Sequence, residues 1–307
     1  MTRHAIETHG LSRTFGRLDA VRGLDLQVPA GSVFALIGPN AAGKTTTIKM
    51  LMNLVRPTAG SASVLGVAPG SLGAAHWQRI GYVSENQDLP GWMSPAQYFS
   101  YCRPFYPAWD DELCARLQTS LGLNSRVTLK AASRGTRMKA ALLSALAYSP
   151  DLVVLDEPFS GLDPVVREEL VRALLGAPRE RESTVLVSSH DVDEVERLAD
   201  WVGFLAEGRL LFAEPVESLL NRFRLIEIVT DEDVVRVAPA TLRSLEGWLP
   251  RGMAGRTLRF VDTAHNPVDA QARIASAFPN ASVHVSRLSL RDIFIALSVA
   301  GAPVEAI

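Results

Sequence analysis

The glycine-rich stretch Gly38–Thr45 constrains the fold of this 307-residue chain more than any other segment. It reads GPNAAGKT and matches the pattern G-x-x-x-x-G-K-[ST]. The apolar run Val33–Ile37 precedes it and the helix-like segment Thr46–Leu54 follows it, which predicts the order strand, loop, helix. Glycines let backbone N–H groups wrap a phosphate chain at a helix N-terminus, where Lys44 would add a positive charge and Thr45 a hydroxyl for Mg²⁺. The predicted nucleotide-binding residues of this loop are Gly38, Pro39, Asn40, Ala41, Ala42, Gly43, Lys44, Thr45 and Thr46.

Bulk composition argues against nucleic acid as a partner. The net charge is −2 and the isoelectric point is near 6.3, so no overall basic field attracts a phosphate backbone. The two cysteines, Cys102 and Cys114, lack metal-ligand spacing and indicate reduced thiols. We find neither a secretion signal nor an apolar run approaching the ~20 residues that cross a bilayer. The sequence predicts a cytoplasmic chain that would act on a membrane only through a partner.

Apolar runs alternate with helical patterns over the first 215 residues, which predicts a mainly parallel α/β sheet. Strand-like runs lie at Ile80–Val83, Leu152–Leu155 and Val185–Val187, and the last two are apolar on both faces, as expected for strands covered by helices. Asp163 followed by Pro164 predicts a capped helix start.

An aromatic segment, Leu89–Leu123, interrupts this alternation and becomes helical from Asp110. Two interpretations stay open. The aromatic side chains either pack locally in a helical subdomain or form an exposed surface for a partner, since aromatic residues concentrate at interfaces.

A second pattern begins after Pro215 and predicts a small α+β domain without clustered catalytic side chains. Its predicted strands are Leu225–Val229, Val234–Val237, Thr257–Val261 and Ser282–Val285, and its predicted helices are Thr241–Leu249, Val268–Phe278 and Leu290–Ala300.

The segment Leu152–Pro158 contains two acidic residues that would act together with the phosphate loop. A buried strand that ends in Asp156 would present a carboxylate to Mg²⁺ at the carboxyl edge of the sheet. Glu157, the next residue, can orient or deprotonate an attacking water. The pair therefore predicts hydrolysis of a nucleoside triphosphate, with Asp156 on the metal and Glu157 as the base.

With these motifs in place, the chain closely resembles the nucleotide-binding subunits of ABC transporters over about residues 4–215. The matching positions are the adenine-stacking aromatic Phe15, the Walker A motif Gly38–Thr46, the signature Ser133–Gly135, the Walker B motif Leu152–Glu157, the D-loop Ser160–Asp163 and the switch histidine His190. The implied architecture is a P-loop NTPase core over 1–218, an ABC ATPase cassette with a helical subdomain at about 89–148, followed by an accessory α+β domain over 219–307.

The resemblance implies that two such subunits, most simply a homodimer, sandwich ATP head to tail. Ser133 and Gly135 of one copy would then face the ATP that the other copy holds, with Asp163 in the D-loop beside it. Mg²⁺ would be held by Thr45, Glu85 and Asp156. A separate integral membrane permease would couple to dimer closure, which places the chain at the inner face of the cell membrane.

Local similarities favour the ABC-2-type exporter branch, and they lie at Gly81–Asn86, Phe105–Asp110, Ser133–Gly135 and Leu288–Leu297. An importer ATPase and a soluble ABC ATPase without a transport role are the alternatives. The C-terminal domain is either a regulatory sensor or an appendage that stabilises the dimer.

Three departures from the family pattern bear on the site. Ala41 stands where glycine is common and would be strained if the loop needs a positive φ there. Arg134 and Thr136 replace a glycine and a glutamine of the signature. Glu85 replaces the glutamine expected after Gly81–Ser84, and it can still accept a hydrogen bond from a metal-bound water.

Overall fold

The computed structural model describes residues 4–123, 126–180, 182–230, 248–278 and 280–300. The chain divides between Ala213 and Glu214 into two compact units. The first unit contains the phosphate loop.

The first unit begins with antiparallel strands that the sequence patterns did not predict. Their bounds are β1 His4–Phe15, β2 Leu18–Leu24, β3 Gln27–Pro29 and β5 Ala59–Val64. β1 pairs with the other three. The hairpin of β1 and β2 places Phe15 opposite Leu18 at its tip.

A six-stranded sheet forms the centre of this unit, in the order β10-β9-β4-β8-β7-β6. Its strands are β4 Val33–Ile37, β6 Ile80–Val83, β7 Leu152–Asp156, β8 Thr184–Ser189, β9 Trp201–Ala206 and β10 Arg209–Pro215. All residues of β4, β7 and β8 are buried, which explains why their sequences are apolar on both faces. The pairings β4–β8, β4–β9, β6–β7 and β7–β8 are parallel, as predicted.

Helices connect and cover these strands. They are α1 Lys44–Leu51, α2 Ala74–Trp77, α3 Pro95–Cys102, α4 Asp111–Ser120, α5 Arg134–Leu146, α6 Pro164–Glu180 and α7 Val192–Leu198. Asp163 Oδ1 accepts hydrogen bonds from the backbone N–H groups of Val165 and Val166, which confirms the predicted cap of α6. No helix in the described ranges is long and apolar enough to cross a membrane.

The aromatic segment shows features of both interpretations. Tyr98 and Phe99 are buried, and Tyr106 stacks on Tyr148 with ring centroids 3.8 Å apart. Three large aromatic side chains remain exposed, at 76% for Trp92, 52% for Tyr101 and 57% for Phe105.

The second unit is an antiparallel sheet with helices. Its elements are α8 Val216–Arg222, β11 Arg224–Val229, β12 Trp248–Ala254, β13 Thr257–Asp262, α9 Pro267–Ala277, β14 Ser282–Arg287 and α10 Leu290–Ala300. The strand order is β12-β13-β11-β14. Its core contains apolar side chains of β11, β13 and α9, including Ile226, Ile228 and Ile274.

The helix predicted over Thr241–Leu249 is wrong at its end, because Trp248 and Leu249 lie in β12 and pair with β13. Trp248 packs against Phe260 with ring centroids 6.1 Å apart, and such cross-strand contacts outweigh a local helical pattern. The rest of that predicted helix and the predicted strand Val234–Val237 lie outside the described residues.

Candidate nucleotide-binding site

The loop between β4 and α1 requires glycine at two positions. A Cβ atom on Gly38 would lie 2.1 Å from the Leu205 carbonyl oxygen, so no side chain fits there. Gly43 has a φ of 106° and a Cβ on it would lie 2.4 Å from the Ala20 carbonyl oxygen. Close packing against the backbone therefore explains both glycines of the motif.

Ala41 adopts a φ of 65°, which confirms the strain predicted for this position. A left-handed conformation brings Cβ close to the following carbonyl oxygen and costs an L-residue roughly 1–2 kcal/mol. The phosphate loop therefore has a left-handed backbone conformation at Ala41, where a glycine would relieve the strain.

Lys44 is buried and its ammonium group is held by three oxygen atoms. Nζ donates to the carbonyl oxygens of Gly38 at 2.7 Å and Pro39 at 3.2 Å, and it lies 3.0 Å from Glu157 Oε1. Side-chain exposure is 5% for Lys44 and 9% for Glu157. A phosphate oxygen entering the loop would compete with the Glu157 carboxylate for this ammonium group.

Thr45 and Asp156 meet beneath the loop, at the carboxyl end of β7. Thr45 Oγ1 donates to Asp156 Oδ1 at 3.0 Å, and Ser188 Oγ donates to the same oxygen at 2.8 Å. Burial raises the pKa of Asp156, while these two hydroxyl groups partly offset the shift.

This donor set fits Mg²⁺. The ion prefers oxygen ligands and usually takes one or two carboxylates together with substrate phosphates and water. Thr45 and Asp156 provide a hydroxyl and a carboxylate side by side, and a cation would favour the ionised form of the buried Asp156. Among the described residues there is no group of three or more His, Cys, Asp or Glu side chains that could hold a metal ion.

Glu157 is the most constrained residue of the site. Its φ is 50°, its backbone N–H donates to Ser188 Oγ at 2.9 Å, and its Oε2 lies 2.7 Å from His190 Nδ1. The carboxylate is therefore held between Lys44 and His190. A carboxylate fixed in this way at the edge of the cavity can accept a proton from water.

A cavity of about 840 Å³ joins the loop to the tip of the first hairpin. Of the predicted site residues, those that line it are Phe15, Asn40, Ala41, Ala42, Gly43, Lys44, Thr45, Thr46, Glu85, Glu157 and His190. Phe15 is 44% exposed, and the Arg13 guanidinium lies over its ring at 4.3 Å from the centroid. The ring therefore has an accessible surface against which a base could stack.

Sequence reasoning did not find all of the lining. The additional residues are Leu18, Asp19, Ala20, Arg22 and Glu207, and Ser160 of the predicted D-loop lines the cavity as well. Ser188, whose hydroxyl contacts both acidic positions, was also missed, although a serine in a buried apolar strand is itself a signal. For the β2 residues, only the proximity to Phe15 in the chain pointed to the site.

Six predicted site residues are not among those that line this cavity: Gly38, Pro39, Asp156, Ser133, Gly135 and Asp163. Ser133 caps α5 by accepting a hydrogen bond from the Thr136 N–H at 3.1 Å. Gly135 is buried, and a Cβ on it would lie 3.1 Å from both γ carbons of Val166. Asp163 caps α6.

Glu85 borders two hollows. One is the nucleotide cavity, and the other is a smaller hollow of about 270 Å³. Arg134 and Met138 of α5 line the smaller hollow. Glu85 therefore lies between the phosphate loop and the first turns of the helix that Ser133 caps.

Comparison with known proteins decides the family. A model of the ABC transporter family matches residues 21–160. The lantibiotic transport ATP-binding protein SrtF of Streptococcus pyogenes is 30% identical over 234 residues, which cover 72% of this chain and 98% of SrtF. The chain belongs to the ABC transporter family. It is an ATP-binding subunit of that family and an ATPase, which confirms the resemblance found in the motifs.

Relatives of this ABC ATPase are named for different transport roles. The daunorubicin/doxorubicin resistance ATP-binding protein DrrA of Streptomyces peucetius is 38% identical over 221 residues, covering 67% of this chain and 64% of DrrA. The osmoprotectant import ATP-binding protein OsmV of Salmonella typhimurium is 32% identical over 214 residues, covering 67% of this chain and 56% of OsmV.

The ABC cassette fold is also found in solved structures. A dimeric ATP-binding cassette in a post-hydrolysis state, bound to ADP and Pi, superposes with a TM-score of 0.61 at 20% identity, covering 69% of this chain and 98% of that one. At this identity the likeness concerns the fold, and it confirms the predicted P-loop cassette.

Proposed function

We propose that this ABC ATPase powers export through a separate membrane-spanning subunit, by closing and opening a head-to-tail dimer as ATP is bound and hydrolysed. The observation that carries the catalytic part is the position of Glu157 between Lys44 and His190, at the edge of a cavity that Phe15 and the phosphate loop line. The export part is supported by similarity to DrrA and SrtF.

Under this proposal, three side chains have a role in hydrolysis. ATP phosphates take the place of the Glu157 carboxylate on Lys44, and the released carboxylate then accepts the proton of the attacking water. His190, in contact with Glu157 Oε2, keeps that carboxylate oriented. Thr45, Asp156 and Glu85 would hold Mg²⁺, which would supply positive charge to the phosphates.

A second copy would complete the site. Ser133 is exposed at the N-terminus of the thirteen-residue helix α5, where backbone N–H groups favour an anion. The family resemblance assigns Ser133, Gly135 and Asp163 to the ATP held by the second copy, and none of the three lines the cavity of its own subunit. A homodimer uses all of these residues twice.

Replacing Glu157 with glutamine tests the catalytic role. The variant should bind ATP but hydrolyse it at least 100-fold more slowly, and a nucleotide-dependent dimer should accumulate in size-exclusion chromatography. The amide keeps the shape of the side chain and removes the proton acceptor. Unchanged turnover would remove Glu157 from the mechanism.

Replacing Lys44 with alanine tests the phosphate contact. We expect weaker ATP binding and lost hydrolysis, because the buried ammonium group faces the phosphate position. Lys49 lies on the same helix and is exposed, so Lys49→Ala is the matched control. Equal ATP affinity and turnover in both variants would contradict the assignment.

We assign docking of the permease to the helical subdomain, where Trp92, Tyr101 and Phe105 are exposed. Replacing all three with serine should release the ATPase from membranes that contain its permease without reducing ATP binding. Docking at this surface would hold the subunit at the inner face of the membrane.

Similarity to OsmV keeps an import role as the second candidate. The direction of transport can be measured with inside-out vesicles that contain the full complex. ATP-dependent accumulation inside such vesicles supports export. Copurification with a solute-binding protein and ATP-dependent loss from the vesicles would support import.

A further inference from the structure

The sheet of the second unit has two edges of different character. β12 contains Pro250, which lacks an N–H group, and its register with β13 shifts between Pro250 and Gly252. Proline and bulges are features that keep an edge strand from pairing with another chain. β14, at the opposite edge, pairs with β11 in unbroken register over six residues and contains neither proline nor glycine.

β14 is also exposed and partly apolar. Val283 and Val285 are 41% and 42% exposed, although their partners on β11, Ile228 and Ile226, are fully buried. The two valines line a groove of about 450 Å³ beside α9, together with side chains that include Ile274. The buried core of the sheet therefore ends in an uncovered apolar strip along β14.

The sequence of β14 is palindromic over most of its length. Residues 282–286 read Ser-Val-His-Val-Ser, symmetric about His284. In an antiparallel pair related by a two-fold axis at His284, each Val283 faces Val285 of the other copy, and each Ser282 faces Ser286. Matched apolar and hydroxyl pairs are the cross-strand contacts that stabilise antiparallel sheets.

We propose that two copies of this chain associate through β14, which joins their C-terminal sheets into one eight-stranded antiparallel sheet. A second copy is the occupant that the symmetric sequence fits, since an isologous contact requires each residue to meet its two-fold counterpart. Among the residues that the structure describes, β11 is the one strand that pairs with β14. The edge of β14 away from β11 would supply the backbone hydrogen bonds of this contact.

This contact needs no nucleotide, which separates it from the ATP-driven dimer proposed above. Six residues per copy make an interface smaller than the standard ~1,600 Å², so the association should be weak on its own. It would keep two subunits near one another after hydrolysis has opened the ATP sandwich, in the way a tether raises the effective concentration of its ends.

Cysteine cross-linking tests the register. Facing residues of antiparallel strands have Cα atoms about 4.5–5.5 Å apart, which is within the range of a disulfide. His284→Cys should form a disulfide-linked dimer under mild oxidation without nucleotide. Ser282→Cys is the matched control on the same strand, because its two copies would lie about 13 Å apart along the strands.

The parent chain, with Cys102 and Cys114, gives the background of this assay. We expect at least tenfold more dimer from His284→Cys than from Ser282→Cys or the parent. Equal cross-linking of the two variants would refute the proposed register.

A charge at the edge tests the association itself. Val283→Lys with Val285→Lys should shift the nucleotide-free protein toward monomer in sedimentation velocity, raising the dissociation constant at least tenfold. Val229→Lys, on the neighbouring strand and 42% exposed, is the control. A parent protein that stays monomeric at high micromolar concentration, or a dimer that the paired lysines leave intact, would overturn the proposal.

Discussion

Relief of the strain at Ala41 should stabilise the cassette. Ala41 is exposed and has a φ of 65°, so Ala41→Gly removes a left-handed penalty of about 1–2 kcal/mol without losing a buried methyl group. Glycine also gives the unfolded chain more conformational freedom, which lowers the free energy of unfolding by roughly 0.5–1 kcal/mol. The difference between these two ranges is a net gain of between zero and about 1.5 kcal/mol, or a Tm increase of up to about 6 °C for a unit of this size.

The neighbouring residue supplies a control of opposite sign. Ala42 is 2% exposed and does not have a positive φ. Ala42→Gly loses a buried methyl group, worth about 0.8 kcal/mol, and gives the unfolded chain the same additional freedom, so it should destabilise the cassette by about 1.3–1.8 kcal/mol. The two variants are chemically identical changes at adjacent positions.

Thermal unfolding by circular dichroism, without nucleotide, measures both effects. Because the chain has two units, the transition of the cassette is the one that ADP shifts upward. A destabilised Ala41→Gly variant, similar to Ala42→Gly, would refute the left-handed conformation and the strain argued from it.

Three further predictions concern other parts of the cassette. Phe15→Ala should raise the dissociation constant of ATP by about 5- to 100-fold in a fluorescent nucleotide titration, because stacking of one base is worth ~1–3 kcal/mol. The control Phe15→Tyr should bind ATP normally. Near-normal binding by Phe15→Ala would remove Phe15 from the adenine site. Burial, then the charge of Asp191, raises the pKa of Glu194 to about 7. Ionisation of this acid therefore lowers the stability of the folded chain as pH rises between about 4.5 and 7. Glu194→Gln should leave Tm unchanged near pH 4 and raise Tm at pH 8 by about 1–3 °C, after allowance for solvent screening. A Tm gain that does not depend on pH would contradict this prediction. Gly135→Ala should lower the free energy of unfolding in urea by about 1–2 kcal/mol, because the new methyl group presses on Val166. Adding Val166→Ala should restore part of that loss. Simple additivity of the two changes would argue against the contact.

Local patterns of the sequence were enough for the central strands and the loop between them. β4, β7 and β8 are apolar on both faces because they are covered on both faces, and the glycines of the phosphate loop reflect backbone contacts that no side chain allows. The prediction for β12 failed, because the pairing of Trp248 with a distant strand outweighs the pattern around it. The first antiparallel sheet was missed for the same reason: its strands are defined by their partners.

The sequence by itself determined that this chain holds a nucleotide in a P-loop, since motif and strand order are written in contiguous residues. Only the tertiary structure brought Lys44, Glu157 and His190 into contact, from positions up to 146 residues apart. It alone revealed that Ser188 supports Asp156 and Glu157. It also revealed that the register shifts at Pro250 on one sheet edge, while β14 pairs with β11 in unbroken register. Distances between remote residues depend on how strands pair and pack, and no local pattern encodes that geometry.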